Sequence, residues 1–304
     1  MPIPDYQSIM LPLLKFIQDG KEYSSRDVIP NLELNFQLTE DEKRKLLPSG
    51  SQRVFQNRLA WAQAYLKMAG LTESTRRGYF RITKRGVDIL RSSPSKIDRT
   101  FLFQFPEFKL KIEESAKTKI VDVVNNEEQD IKETPDELIE NGYQKIKTEL
   151  ITEILDRVKT CSPMFFEKLV VDLLVKMGYG GSKIEQSAVL GKAGDEGIDG
   201  IIKEDRLGLD VIYIQAKRWE GNVSRPEIQK FVGALQGQKA QKGVFITTSK
   251  FTNEAIDYAS KVGTKIVLVS GNELAELMID YSIGVSIKQQ YEIKKIDSDY
   301  FIEE

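Results

Sequence analysis

The sequence predicts an α/β chain with an N-terminal winged helix-turn-helix domain followed by a three-layer α/β domain with a mixed central sheet. Three observations carry this. At 304 residues the chain exceeds what one ordinary core serves, which points to two domains. In the first part, apolar residues at helical spacing lead into a short basic hairpin. In the second part, amphipathic helices alternate with short apolar strands.

Ile9, Leu13, Leu14, Phe16 and Ile17 place a helix over Tyr6 to Gln18, closed by Asp19-Gly20. Ser24-Ser25-Arg26-Asp27 caps a short helix expected to stop at Pro30. Thr39 and Glu42 form a capping box for a third helix. After Pro48-Ser49-Gly50, the run from Val54 to Ala69 is a long amphipathic helix ending at Gly70. Arg77-Gly78 turns between two short strands, and Thr83 opens a closing helix. This gives a winged-helix DNA-binding domain over residues 1–91. Residues 92–133, rich in Ser, Asn and charge, form a linker with some local structure that lets the two domains move relative to each other.

The second domain, 134–304, opens on the capping box Thr134-x-x-Glu137 and a helix running towards Val158. Ser162-Pro163 starts the next helix, which Gly178 ends. Strands follow at Ile198–Ile202 and Asp210–Lys217, then a helix from Pro226 to Lys239, a strand from Gly243 to Thr248, a helix from Asn253 to Lys261, a strand from Lys265 to Val269 and a helix from Asn272 to Tyr281.

Composition excludes much chemistry. There is no histidine, so Ser-His-Asp and Cys-His catalysis and histidine metal sites are out. Cys161 is the single cysteine, a small residue near a helix start, and no intrachain disulfide is possible. Any metal must be held by oxygen, which favours Mg²⁺ or Mn²⁺. No apolar run is long enough for a membrane span, and MPIPDYQSIM lacks a basic leader, so a cytoplasmic location is expected. The net charge of −2 hides a basic module. Between 51 and 91 stand Arg53, Arg58, Lys67, Arg76, Arg77, Arg81, Lys84, Arg85 and Arg91, against Glu73 and Asp88.

The strand from Val211 is apolar until Gln215 and Lys217, which share one face. Asp199 follows the glycine-rich run from Gly191 to Gly197. If the two strands pair antiparallel about a turn near Leu207, Asp199 lies opposite Gln215 to Lys217. Carboxylate, amide oxygen and ammonium then converge at one sheet end. That grouping suits phosphodiester hydrolysis: the oxygens hold a divalent ion, and the lysine orients or deprotonates water and offsets charge. Glu167, on a largely apolar helix, is either a further metal ligand or a solvated carboxylate.

Gly197-Ile198-Asp199-Gly200 with Gln215-Ala216-Lys217-Arg218-Trp219 resembles the D-QxK variant of the PD-(D/E)XK nucleases. The whole chain is similar to the Mrr family of modification-dependent, type IV restriction endonucleases. The resemblance extends to Phe55–Ala62 in the first domain and Gly243–Ser249 in the second. It implies a restriction-endonuclease-like fold for 134–304 and Mg²⁺-dependent cleavage of methylated double-stranded DNA. Asp199, Gln215 and Glu167 would be metal-site residues and Lys217 the catalytic lysine. Where the superfamily has Asp or Glu, Gln215 is neutral, which weakens metal affinity and raises the weight on Glu167.

Other assignments follow from the residues. Asp195 and Glu196 either take part in catalysis or only shape a turn. Gln229 either touches the site or is an exposed helical residue. Thr247, Thr248 and Ser249 end a strand and cap the helix near Thr252. In the first domain Arg53, Asn57 and Arg58 face DNA, while Trp61, Tyr65 and Leu66 pack the core. Arg76, Arg77 and Tyr79 of the hairpin either contact phosphate or the minor groove or form an exposed basic hairpin without a binding role. Cutting both strands needs two active sites, so a homodimer or homotetramer is expected. The alternatives are a repair or junction-resolving nuclease, and a DNA-binding regulator with an inactive nuclease-like domain.

Overall fold

Helix caps and apolar spacing set out the first half of the chain. The computed structural model describes residues 2–117, 132–180, 197–205 and 209–296. These divide into two units, Met1–Lys145 together with the chain end from Lys295, and Ile146–Lys294. Asp5 caps α1 (Tyr6–Phe16), its carboxylate accepting the N–H groups of Gln7 and Ser8. After β1 (Tyr23–Ser24), capping boxes start α2 (Ser25–Asn35) and α3 (Glu40–Arg44). Then come α4 (Val54–Met68), β2 (Thr72–Arg76), β3 (Tyr79–Ile82) and α5 (Lys84–Arg91). The strands form a small antiparallel sheet in the order β1-β3-β2. The wing turns at Arg77-Gly78, where Gly78 has φ +74°. Ile9, Leu13, Leu14, Phe55, Leu59 and Leu66 fill the core.

Two expectations fail here. Helix α2 runs through Pro30 to Asn35 instead of stopping. A proline inside a helix costs about 3 kcal/mol, but α2 buries Val28 and Leu32 one turn apart, at about 1.5–3 kcal/mol each. The linker reading of 92–133 allowed local structure, but its first half is part of the first unit and not a connector, because α6 (Arg99–Leu102) and α7 (Pro106–Lys117) pack into that unit's core. Ile97, Leu102, Phe105 and Phe108 are buried there, and the Phe108 ring lies 5.8 Å from that of Tyr65. Polar composition masked a few apolar residues recurring at helical spacing. Residues 118–131 lie outside the described residues.

Helix α8 (Pro135–Thr160) begins in the first unit, against α4. Asn57, expected to face DNA, is only 2% exposed. Its amide donates to Asp136 Oδ2 (2.6 Å) and accepts from the Thr134 hydroxyl (2.6 Å). Arg58, likewise expected on DNA, pairs with Glu137 at 2.8 Å, with side chains 17% and 8% exposed. It also donates to the carbonyls of Ile3 and Pro4. Both corrections share a cause: α4 meets a second acidic helix start, and Asn57 and Arg58 satisfy it. Trp61 donates its indole N–H to Asp136 (3.1 Å), and Tyr65 and Leu66 are core residues as read.

In the second unit the sheet runs β4 (Gly200–Lys203), β5 (Val211–Lys217), β6 (Lys242–Thr247), β7 (Lys265–Val269). β4 pairs antiparallel with β5, and the remaining pairs are parallel, a mixed sheet as the sequence predicts. The later turns of α8, with α9 (Pro163–Lys176) and α12 (Gly271–Asp280), cover one face and bury Ile212, Ile214 and Ala216. Helices α10 (Arg225–Gly237) and α11 (Asn253–Lys261) cover the other, around Phe231 and Phe245. This is the three-layer arrangement. Among the described residues no helix is long and apolar enough to cross a membrane.

Glu137→Ala strands the Arg58 guanidinium in a buried place. The first unit should lose about 3 kcal/mol in urea unfolding followed by circular dichroism; an unmoved transition would show that the pair holds nothing.

Candidate active site

β5 is the central strand from which the site is built. Its alternation sends Ile212, Ile214 and Ala216 into the core under α8, α9 and α12, leaving Tyr213, Gln215 and Lys217 on the opposite set of positions. β4 begins only at Gly200, but Asp199 prolongs the ladder, its N–H donating to the Ile214 carbonyl at 2.8 Å. Asp199 therefore stands opposite Gln215, as the antiparallel reading required. Beyond that point the Ala216 N–H has no strand partner on this side. The Asp199 carboxylate replaces one, Oδ2 accepting from the Ala216 N–H (2.7 Å) and from the Gln215 side-chain amide.

That double contact settles the Gln215 amide. A carboxylate only accepts, so Nε2 must face Asp199, and Oε1 faces the other way, towards Gly197. Gly197 has φ +102°, and a Cβ there would lie 3.2 Å from Oε1. Glycine is thus needed both for its conformation and for the space beside the amide oxygen.

Lys217 ends β5, and its backbone is pinned from β6. Its carbonyl accepts the Thr247 hydroxyl (2.8 Å) and the Thr248 N–H (3.2 Å). The Thr248 hydroxyl accepts the Trp219 N–H (3.0 Å) and donates to the Trp219 carbonyl (2.8 Å), as a strand neighbour would. Thr247 and Thr248 are fully buried. The sequence reading made them part of a helix cap. The cap is Thr252, which accepts the Ala255 N–H, and the two threonines fix the Lys217–Trp219 segment. Two hydroxyls closing an apolar strand, beside a strand with a polar end, were the signal available.

Glu167 comes from α9, whose start is fixed by Ser162 capping the Phe165 N–H (3.2 Å) and by Pro163. Burial of Phe166 and Val170 leaves Glu167 half-buried at the edge of that face. Its carboxyl is pushed above the ordinary range, first by burial and then by the Asp199 charge, with the Lys217 ammonium pulling the other way. Glu167, Asp199 and Lys217 thus share one field. Asp195 and Glu196 lie outside the described residues, and Gln229 is exposed on α10.

The donors here are two carboxylates and one amide oxygen, with an ammonium alongside. Among the described residues no group of three or more Asp, Glu or Cys stands in metal-binding geometry. Carboxylate and amide oxygens are donors that suit a hard divalent cation, and not a softer one. In the first unit Arg53 is exposed at the start of α4. On the wing Arg76 and Arg77 are exposed and Tyr79 half-exposed, with the Arg76 guanidinium 3.7 Å above the Tyr79 ring and 3.0 Å from Glu22.

Comparison with known proteins adds the following. A family model described as a restriction endonuclease matches residues 158–278, and one described as the Mrr N-terminal domain matches residues 6–92. The chain is 38% identical over 307 residues to the type IV methyl-directed restriction enzyme EcoKMrr of Escherichia coli (strain K12), covering 99% of this chain and 100% of that protein. Among solved structures it is similar to the DNA modification-dependent restriction endonuclease AspBHI, with 16% identity and a TM-score of 0.36 over 71% of this chain and 56% of that one. It is also similar to the MspJI restriction endonuclease in complex with a 27-mer oligonucleotide, with 13% identity and a TM-score of 0.28 over 68% and 51%. Both structures are too distant to bear on the fold.

In the cation-free protein, Asp199→Asn should lower the Glu167 pKa and Lys217→Met should raise it, read by NMR titration of the labelled carboxyl. If neither moves it, the three groups do not share a site. Thr248→Val removes both hydrogen bonds to the Trp219 backbone and should cost about 1–3 kcal/mol in chemical unfolding, at about 0.5–1.5 kcal/mol per bond, while Thr248→Ser restores the wild-type value.

Proposed function

The chain belongs to the Mrr family of restriction endonucleases, and from that premise we propose that it restricts foreign DNA by cutting methylated double-stranded DNA at the Asp199 site. It is a DNA endonuclease that hydrolyses phosphodiester bonds with a divalent cation. We take the cation to be Mg²⁺, with Mn²⁺ as a substitute. The observation that carries this reading is the Asp199 carboxylate locked against β5, with Gln215, Lys217 and Glu167 around it.

In this proposal Asp199 and Gln215 hold the cation and Glu167 adds a further oxygen. When bound, such an ion supplies Lewis-acid polarisation of the scissile phosphate and acidification of the attacking water. Lys217 holds that water in line and balances charge developing on the phosphate. The neutral Gln215 leaves the ion set one charge short of a carboxylate pair, which Glu167 makes up once ionised. Its raised pKa then means that this contribution fades as pH falls through it, the acid form being a poorer ligand. The first unit is the proposed DNA-binding part, with residues 1–91 extended by α6, α7 and the start of α8 and with Arg53, Arg76, Arg77 and Tyr79 towards the duplex, and the second unit, from Ile146, is the proposed nuclease domain. Two-strand cleavage calls for a homodimer or homotetramer, working in the cytoplasm.

Incubating purified protein and Mg²⁺ with methylated, unmethylated and branched DNA tests this. Wild type should cut the methylated substrate, and Lys217→Ala or Asp199→Ala should lose at least about a hundredfold in rate while still binding DNA. Full cutting by the variants would refute the site, and preference for branched over methylated DNA would make the chain a repair nuclease instead.

A further inference from the structure

Helix α4 has three faces. Phe55, Leu59, Ala62 and Leu66 enter the core, and Asn57, Arg58 and Trp61 are tied to Thr134, Asp136 and Glu137. On the third face Arg53, Gln56, Ala60, Gln63 and Lys67 recur at helical spacing, each exposed or half-exposed. Here the wing closes over the helix to leave a cleft of about 290 Å³. Ala60, Ala64, Gln63 and Lys67 line it from α4, and Tyr79 and Phe80 from β3. The Gln63 amide is held only loosely, 3.4 Å from the Ser25 hydroxyl. The Lys67 ammonium donates to the Ser74 hydroxyl on the wing at 2.9 Å.

We infer that this cleft, and not the Asn57–Arg58 face, receives the methyl group of a modified base in the major groove. The inference rests on the reading of the chain as an endonuclease for methylated DNA. An α-helix fits the major groove, and both the C5-methyl of cytosine and the N6-methyl of adenine project into it. Ala60 and Ala64, four residues apart, give an apolar floor where longer side chains would fill the cleft. Gln63, between them in sequence, offers a donor and an acceptor to a base edge, the pairing glutamine makes with adenine. Lys67 stands beside the floor, where a phosphate would run, and Glu73 across the cleft is neutralised by Arg81 at 2.7 Å. A face used only for the phosphate backbone would need cations alone. The small apolar floor with an amide beside it is what a methylated edge requires.

The test uses the full-length chain without divalent cation and random-sequence duplexes that are unmodified, 5-methylated at every cytosine or N6-methylated at every adenine. Fluorescence anisotropy reads affinity, and cutting with Mg²⁺ is measured on the same three pools. Wild type should prefer one methylated pool, and which one identifies the methyl group taken. Ala60→Leu, at an exposed helical position, should lower the ratio of methylated to unmodified affinity by about fourfold, the worth of one buried methyl. Gln63→Ala, a second variant at the cleft, should also lower it. The inference is overturned if wild type shows the preference and both variants keep it, or if the variants lose affinity equally for all pools. If wild type neither prefers nor cuts a methylated pool, the proposed function itself fails, and this inference with it.

Discussion

A single carboxylate oxygen organises the proposed nuclease site. Asp199 Oδ2 accepts both the Gln215 amide and the Ala216 N–H, at the point where β4 gives out and β5 continues. Without it Ala216 would keep an unpaired N–H and Gln215, 2% exposed, a buried amide with no acceptor. Either lack costs about 1–3 kcal/mol. The same contact settles which way Gln215 points, turns its amide oxygen towards Gly197, and fixes the Asp199 charge near Glu167 and Lys217. The same carboxylate therefore completes the ladder and orients the site. On the far side of β5, Thr247 and Thr248 do for Lys217 and Trp219 what Asp199 does for Ala216. The polar end of β5 is held from both neighbours, so the proposed catalytic lysine leaves a rigid backbone.

The first unit uses its acids differently. Asp136 and Glu137, at the start of α8, bind Asn57, Trp61 and Arg58 on α4 in a buried polar cluster. Breaking such a cluster costs more than an exposed pair is worth, so it specifies how α4 is held. The consequence for recognition is subtractive. With one face in the core and another tied to α8, only the face beside the wing remains for a duplex, and its chemistry is amide and methyl more than guanidinium.

Much of this was legible in sequence, for physical reasons. The β5 strand announces itself by its apolar run and polar end, and Asp199 opposite Gln215 follows from a period of two and a short connection. Capping boxes at Thr39 and Thr134 mark helix starts because their partners are local. What could not be read depends on distant partners. Arg58 and Asn57 look like DNA ligands on an isolated amphipathic helix, and only the arrival of Glu137 and Asp136, 79 residues on, makes them structural. Residues 97–112 look like linker because charge dominates the composition, yet Ile97, Leu102, Phe105 and Phe108 are buried in the first core, with Phe101 and Ile112 packed against it. The helix through Pro30 needed the same long-range information, namely that Val28 and Leu32 had a core to enter.

The central claim is that Asp199 and Gln215 hold a divalent ion beside a phosphate, with Lys217 placed to act on it without binding it. Mn²⁺ titration followed by electron paramagnetic resonance, with phosphorothioate duplex DNA present to block cleavage, tests it most directly. A bound-ion signal in wild type that persists in Lys217→Met and disappears in Asp199→Asn is the predicted result. Equal Mn²⁺ binding by wild type and Asp199→Asn would contradict it.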